Sequence, residues 1–425
     1  MLVRKFMLWV SQASAAERAE GAGALARAYL YGDFAEAEER EAEVALFSLL
    51  DDPSPIVRGA IAEAFASAED APHAIVLALA NDQSAISSNV LRRSPLLCDA
   101  ELIDCAAIGD GFAQAAIALR PHLSTSVAAA LAEIGSREAL IALAVNPGAE
   151  IADFSMRRMI ERFGSDGEMR EALLSRPHLP AALRSALVEA TARALSAFVT
   201  ARAWLSTERT ERVVRDARES ANIMISAESA RDHDHDGACE LVAYLRQSGQ
   251  LTAGLILRSL LSGHTTLFEA ALCELSGMPA RRVAGLIRDF RSNGFAALYK
   301  RARLPARLLA VFRAALEAQR EFDFIGEGAH TVRLSRTIIE RVLTACGDAS
   351  EGELAGLLAL LRRFEAEALG EEARGLALDL RRPEDEASIV VPMPMPVAMP
   401  APAPARTTPL VIDLEALEAE ILQAA

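Results

Sequence analysis

The sequence has few of the residues that define several common classes of protein. Aromatic residues make up 5% of its 425 residues, and the five cysteines include no Cys-x-x-Cys pair. An odd number of scattered cysteines excludes a disulfide scaffold and is typical of reduced thiols. No apolar run approaches the roughly 20 residues of a membrane span. The five apolar residues Phe6–Val10 are also fewer than the roughly 7–15 of a signal-peptide core. We therefore expect a cytoplasmic protein without membrane contact.

Catalytic and cofactor-binding motifs are also missing from the sequence. It contains no Walker loop, no Gly-x-Ser-x-Gly and no His-Glu-x-x-His. Gly326-Glu327-Gly328 lacks the third glycine of a dinucleotide loop. These absences favour a protein that is not an enzyme and that carries no cofactor.

The charge balance is strongly acidic, with a formal net charge of −15. Phosphates repel such a chain, so we do not expect duplex nucleic acid as a partner. Only Lys5 and Lys300 are lysines among the 44 basic residues, and the others are arginines. Biased base composition of a genome explains this preference without any functional argument.

Alanine is the most abundant residue, at 85 of 425 positions. Together with leucine, glutamate and arginine it favours helices, whereas β-branched and aromatic residues favour strands. No stretch alternates apolar and polar residues with a period of two. The composition therefore predicts an all-α fold with essentially no sheet.

Prolines punctuate the first half at regular intervals. Pro95, Pro121, Pro147 and Pro177 are separated by 26, 26 and 30 residues, and each interval has room for two short helices. A fixed period of this size is the mark of a helical solenoid, in which each helix pair buries its apolar face against its neighbours. We expect His122 and His178, which follow two of these prolines, to serve turn packing.

Two segments indicate how individual repeats begin. Ser54-Pro55 reads as an N-cap followed by proline at the first helical position, with Val57, Ile61, Ala64 and Phe65 as the inward stripe. Asp52, Val57 and Arg58 have the Asp-x₄-Val-Arg spacing of HEAT repeats, in which Asp and Arg can bond between neighbouring turns. Later in the chain, Ser124 can cap a helix whose Val127, Leu131 and Ile134 share a face.

These segments also resemble a known family. The similarity lies in Leu49–Arg58, Ala78–Gln83, Arg92–Leu97, Leu257–Gly263 and Leu267–Leu272, and it covers roughly residues 45 to 380. The family is that of bacterial proteins called domain of unknown function 2336. The resemblance implies HEAT-like helices in an alphaproteobacterial cytoplasm, and it implies no catalytic residues.

The sequence divides into five parts by composition and rhythm. We expect N-terminal helices in residues 1–48, HEAT-like repeats in 49–200, a second helical region with a basic patch in 201–382, a disordered Pro-rich linker in 383–409 and an acidic amphipathic tail helix in 410–425. The linker prediction rests on seven prolines in residues 391–409. Ala201–Arg231 is expected to be one long charged helix.

The predicted tail helix carries an apolar stripe of Leu414, Leu417 and Ile421, and residues 410–425 contain four acids and no base. A free helix of about 14 residues is marginal. It would therefore dock into a groove, on its own body or on a partner. A frayed tail is the alternative, and the sequence leaves this choice open.

The best metal candidate is the segment Asp232-His233-Asp234-His235-Asp236. His233 and His235 with neighbouring carboxylates have the donor atoms that zinc or nickel takes. The segment lacks a second ligand cluster, so a solvated turn is the better interpretation and no metal is expected. The repeat period also resembles the short HEAT-like repeats of phycobilin lyases, and only this segment supports a metal- or chromophore-handling role.

Basic residues are concentrated in residues 281–320, which carry ten bases against Asp289 and Glu317. The bases are Arg281, Arg282, Arg288, Arg291, Lys300, Arg301, Arg303, Arg307, Arg313 and Arg320, with four aromatic residues between them. The pattern fits either solvated helices with an aromatic core or a docking face. Such a face would bind an acidic or phosphorylated protein segment, the chain's own acidic tail, or single-stranded nucleic acid.

These observations predict an interaction scaffold or regulatory adaptor that binds an acidic or phosphorylated partner protein. The candidates for partner binding are eight bases and three apolar tail residues. They are Arg281, Arg282, Arg288, Arg291, Lys300, Arg301, Arg303, Arg307, Leu414, Leu417 and Ile421. The alternative is a nucleic-acid-binding or base-excising protein on HEAT-like repeats.

Overall fold

The computed structural model describes residues 2–231 and 235–323, with the isolated residues 362, 366, 369, 370, 373, 374 and 377. Within this part of the chain there are twenty α-helices, one 3₁₀ helix and no strand, so the predicted all-α class is confirmed. All of these helices lie in the unit formed by residues 1–372, and residues 373–425 form a separate unit. None of the described helices has both the length and the hydropathy to cross a bilayer.

Twelve helices of 8 to 17 residues form the first half. They are α1 (Leu2–Val10), α2 (Ala15–Tyr31), α3 (Glu36–Leu49), α4 (Pro55–Phe65), α5 (His73–Ala80), α6 (Ser84–Arg93), α7 (Asp99–Ile108), α8 (Gly111–Ala118), α9 (Thr125–Ile134), α10 (Arg137–Val145), α11 (Asp153–Phe163) and α12 (Gly167–Leu174). Two helices lie between each pair of successive prolines in the series that starts at Pro95, as the rhythm predicts.

These helices stack in two series. The even-numbered helices from α2 to α12 each pack on the next even one, and α7, α9, α11 and α13 pack in the same way. Neighbouring helices such as α7 and α8, or α11 and α12, join the two series. Contacts between helices two positions apart are the contacts of a stacked helical repeat. The closer likeness to HEAT repeats stays a prediction.

Local chemistry explains where these helices begin. Ser124 lies at the N-cap of α9, and its hydroxyl accepts a hydrogen bond from the Val127 amide. Val127 and Leu131 are fully buried, but Ile134, predicted on the same face, is 43% exposed because it ends the helix. Ser54 also occupies an N-cap position ahead of Pro55, yet its side chain makes no capping bond.

Polar bonds link each even-numbered helix to the start of the next. Arg18 of α2 holds Asp52, which precedes α4, with 2.7 and 2.9 Å bonds. Arg58 of α4 in turn holds Asp82, which precedes α6, and its third nitrogen donates to the Asp52 carbonyl at 2.7 Å. The expected Asp–Arg bonding between turns is therefore present.

The second half has longer helices and a different packing. Its helices are α13 (Ala181–Ala201), α14 (Thr207–Arg231), α15 (His235–Gln247), α16 (Ala253–Leu261), α17 (Thr265–Ser276), α18 (Ala280–Arg288), α19 (Asn293–Arg301), the 3₁₀ helix Ala306–Leu308 and α20 (Leu309–Asp323). The long charged helix predicted from Ala201 begins instead at Thr207. A break at 202–206 separates it from α13, so α13 and α14 pack as a hairpin.

Buried apolar side chains form two clusters. The first runs from Val3 to Ala190 through the stacked helices. The second joins Ala181 and the helices from α14 to α20. Tyr244 of α15 is partly buried against both clusters. The predicted domain boundaries themselves stay a prediction.

Candidate basic docking surface

Helix α18 turns its basic residues outward because its apolar residues recur at helical spacing. Val283 and Ile287, four residues apart, are buried against the second core, whereas Arg281, Arg282 and Arg288 are exposed. Pro279 precedes the helix and Gly277, at a positive φ of 65°, ends α17. These two residues make the sharp turn that presents α18 at the surface.

Helix α19 and the 3₁₀ helix extend this basic surface. Phe295, Leu298 and Tyr299 are buried. The Tyr299 hydroxyl donates to the Pro305 carbonyl at 2.8 Å, which ties the 3₁₀ helix to α19. The basic residues of the two elements, Lys300, Arg301, Arg303 and Arg307, are all exposed. We call these four residues, with Arg281, Arg282, Arg288 and Arg291, the basic surface.

Three basic side chains of the 281–320 segment bond to other residues of the folded chain. Arg291 pairs with Glu317, and Arg301 donates from Nε to the Ser276 carbonyl at 2.7 Å, at the end of α17. Arg313 donates to the carbonyls of Phe290 and Ser292, both at 3.1 Å. Arg301, a predicted docking residue, therefore also holds the end of a helix.

The other cations of the basic surface have fewer bonding partners than Arg291 and Arg301. Within the described residues, no side-chain hydrogen bond or ion pair is made by Arg281, Arg282, Lys300, Arg303 or Arg307. Arg288 lies near the carboxyl group of Glu269 on α17. Burial raises the pKa of Glu269, and Arg288 opposes this shift. The surface thus keeps several charges in solvent, available to an anionic ligand.

The aromatic residues of this segment face the other way. Phe290, Phe295, Tyr299 and Phe312 are at most 4% exposed. Phe312 packs on Phe268 and Tyr299 with ring centroids 5.8 and 5.4 Å apart. Bases of a single strand stack on exposed aromatic faces, and these four rings offer none. These rings build the second core, so they give no support to the nucleic-acid interpretation, which stays a prediction.

Other candidate residues lie outside what the structure describes. His233 and the tail residues Leu414, Leu417 and Ile421 fall outside the described residues, and of His235 only the backbone is described, at the start of α15. Among the described residues there is no group of three or more His, Cys, Asp or Glu side chains that could hold a metal. Cys98 is exposed at the N-cap of α7.

Sequence reasoning missed the arginines that hold the repeats together. Arg120, 9% exposed, donates to the carbonyls of Leu91 and Ser94 at 2.5 and 2.7 Å, at the end of α6. Burial lowers the pKa of its guanidinium. Arg176 does the same for three carbonyls at and beyond the end of α10. The sequence does contain a signal for this role. The tetrapeptide Arg-Pro-His-Leu occurs at both 120–123 and 176–179, which places the two arginines at matching positions.

A comparison with known protein families identifies the family of this chain. The family described as an uncharacterised protein conserved in bacteria, domain of unknown function 2336, matches residues 86–351. The chain belongs to this family. The match starts within α6 and includes the hairpin and the basic surface, a narrower range than the 45 to 380 expected from the sequence. No curated protein and no solved structure is significantly similar to the chain.

Proposed function

We propose that this member of the family is a non-enzymatic interaction scaffold that binds an acidic or phosphorylated segment of a partner protein. The binding site is the basic surface of α18, α19 and the 3₁₀ helix. The single observation that carries the proposal is a set of exposed cations without an acidic partner among the described residues, in a chain with a net charge of −15.

The physical argument concerns both the strength and the selectivity of such a site. Arginine dominates the surface, and its planar guanidinium binds carboxylates and phosphates through two parallel hydrogen bonds. The acidic remainder of the chain repels anions, so this one basic region focuses an anionic segment onto a single face. The absence of catalytic motifs in the sequence supports the non-enzymatic part of the proposal.

The test compares partner capture by the natural protein and by a charge-reversed variant. Arg282, Arg303 and Arg307 are each changed to Glu, and Arg301 is left in place because it holds the end of α17. Crosslinking affinity purification from the native cells identifies bound proteins, and binding of synthetic acidic and phosphorylated peptides from them is then measured by fluorescence anisotropy. We expect the variant to lose at least about tenfold in peptide affinity, since like charges now face each other.

A matched control changes the net charge by the same amount elsewhere. Arg27, Arg92 and Arg157 are exposed on the stacked helices, and their replacement by Glu should leave binding unchanged. Equal loss in both triple variants would show a nonspecific charge effect. Unchanged binding in the basic-surface variant would refute the assignment of the site.

The competing hypothesis is that the basic surface binds nucleic acid. Only the arginines support it, because the aromatic side chains of the segment are buried. Retention of the protein on single-stranded DNA at low salt, abolished by the basic-surface variant, would favour that alternative. The proposal predicts no retention beyond that of the control triple variant.

A further inference from the structure

Among the described residues, none covers one apolar face of the α13–α14 hairpin. These are the longest described helices, with 21 and 25 residues. A groove of about 540 Å³ lies between them, lined by side chains that include Leu187, Val188, Leu195, Val214 and Ala217. Leu195 is 53% exposed. Exposed apolar grooves of this kind are interaction sites more often than inert surface.

One stripe of side chains on α14, all exposed except the half-buried Ser220, borders this groove. Its members are Arg209, Val213, Ala217, Ser220, Met224 and Glu228, spaced by four, four, three, four and four residues. This spacing keeps them within one face of a helix. Val213 is 51% exposed and Met224 50%. Ala217 and Glu228 also line the groove, so the stripe and the groove form one continuous surface.

The stripe is complementary to itself when reversed. A twofold axis midway between Ala217 and Ser220 would place Arg209 opposite Glu228, Val213 opposite Met224, and the small side chains of Ala217 and Ser220 opposite each other. An antiparallel copy of α14 therefore brings Arg209 to Glu228 at both ends, where Glu228 also pairs with Arg184 of its own α13 at 2.7 Å. Apolar contacts lie inside these ends, and small residues lie at the centre, where two helices must approach closely.

We propose that a second copy of this chain covers this face, so that the two α13–α14 hairpins pair through antiparallel α14 helices. Two helical hairpins joined in this way form a four-helix bundle. A twofold interface uses the same patch on both subunits, as the self-complementary stripe requires. The partner helix covers the exposed apolar side chains of the groove, and burial of this area drives the association. The proposal does not depend on the ligand of the basic surface.

Sedimentation velocity on the full chain at about 10 μM tests the association. We expect twice the 45.5 kDa mass of one chain. Val213→Glu and Arg209→Glu should each weaken the dimer at least about tenfold, the second by facing Glu228 of the other copy with a like charge. Arg212→Glu, an exposed change on the same helix beside the stripe, is the matched control and should not weaken it. Circular dichroism checks that each variant is folded.

Crosslinking tests the register. The double variant Val213→Cys, Met224→Cys should form an intermolecular disulfide under mild oxidation, whereas either single variant should crosslink no more than the natural chain, whose Cys98 and Cys239 are exposed. A monomer at 10 μM would overturn the proposal. So would a dimer that survives both Glu variants, or a dimer that Arg212→Glu disrupts equally. Failure of the double cysteine variant to crosslink would refute the antiparallel register.

Discussion

At the scale of single residues, several arginines of this chain hold backbone carbonyls at helix ends. Arg120 and Arg176 each reach back 26 to 32 residues to carbonyls at the end of an earlier helix. Helix ends leave carbonyls without intrahelical partners, and a guanidinium can satisfy two or three of them at once. The arginine-rich composition therefore serves the stacking of repeats as well as surface charge.

Replacement of Arg120 tests this role. Arg120→Met keeps an apolar stem but leaves the Leu91 and Ser94 carbonyls without donors, so we expect the free energy of unfolding to fall by about 2 kcal/mol. Arg93 is the matched control, since it also lies close before a proline but is exposed and pairs with Glu63 at 3.6 Å. Arg93→Met should cost no more than about 0.5 kcal/mol. Urea unfolding measures both, and equal losses would contradict the capping role.

The turn at Gly148 packs against the turn of the preceding helix pair, at Pro121 and Leu123. The Leu123 amide donates to the Gly148 carbonyl at 3.1 Å, and the Glu150 amide donates to the Leu123 carbonyl at 3.0 Å. A Cβ at Gly148 would lie 1.8 Å from the Pro121 carbonyl oxygen. Only glycine allows two turns to approach this closely. The sequence shows a Pro-Gly turn here, but not the neighbour that requires it.

At the scale of helices, the links between repeats are made by charged caps. Asp166 caps α12, where it accepts bonds from the amides of Glu168 and Met169, and it also accepts a 2.6 Å bond from Arg137 of α10. The guanidinium of Arg137, followed by the cap amides, lowers the pKa of Asp166 from 3.8 to about 2. One carboxylate thus fixes a helix start and its distance from the preceding helix.

This pKa predicts how the link depends on pH. A carboxyl whose pKa is lowered by folding stabilises the folded state above its unfolded value, and this contribution is lost as the pH falls through the folded pKa. Asp166→Asn should therefore lower the stability at pH 6. The difference from the natural protein should shrink between about pH 4 and pH 2, measured by urea unfolding at each pH. A difference that stays constant over this range would refute the assigned pKa shift.

At the scale of the whole molecule, two apolar cores share one chain. The first core is a continuous row of small and branched side chains through the stacked helices. The second is richer in aromatic rings, including Phe268 and Phe312. Stability in a stacked array is a sum over neighbouring contacts, so damage in one place is felt mainly nearby.

Core substitutions test this division. Leu131→Ala and Phe268→Ala each remove a fully buried side chain, and each should cost about 2–5 kcal/mol. Hydrogen exchange measured by mass spectrometry should show lost protection in α7 to α11 for the first variant and in α16 to α19 for the second. Uniform loss across both regions would show that the two cores unfold as one.

The sequence by itself determined the all-α class, the repeat rhythm, and the positions where α4 and α9 begin. These depend on helix propensity, periodic prolines and capping residues, which act over a few neighbouring residues. It also located the basic segment, because charge is read directly from composition.

Only the tertiary structure decided which basic side chains of that segment have no partner among the described residues. Arg301 and Arg313 bond to carbonyls 21 to 25 residues away, and four aromatic rings turn into the core. The exposed face of α14 likewise follows from which neighbours α13, α15 and α17 supply. Such choices depend on contacts between segments distant in the chain, and no local pattern encodes them.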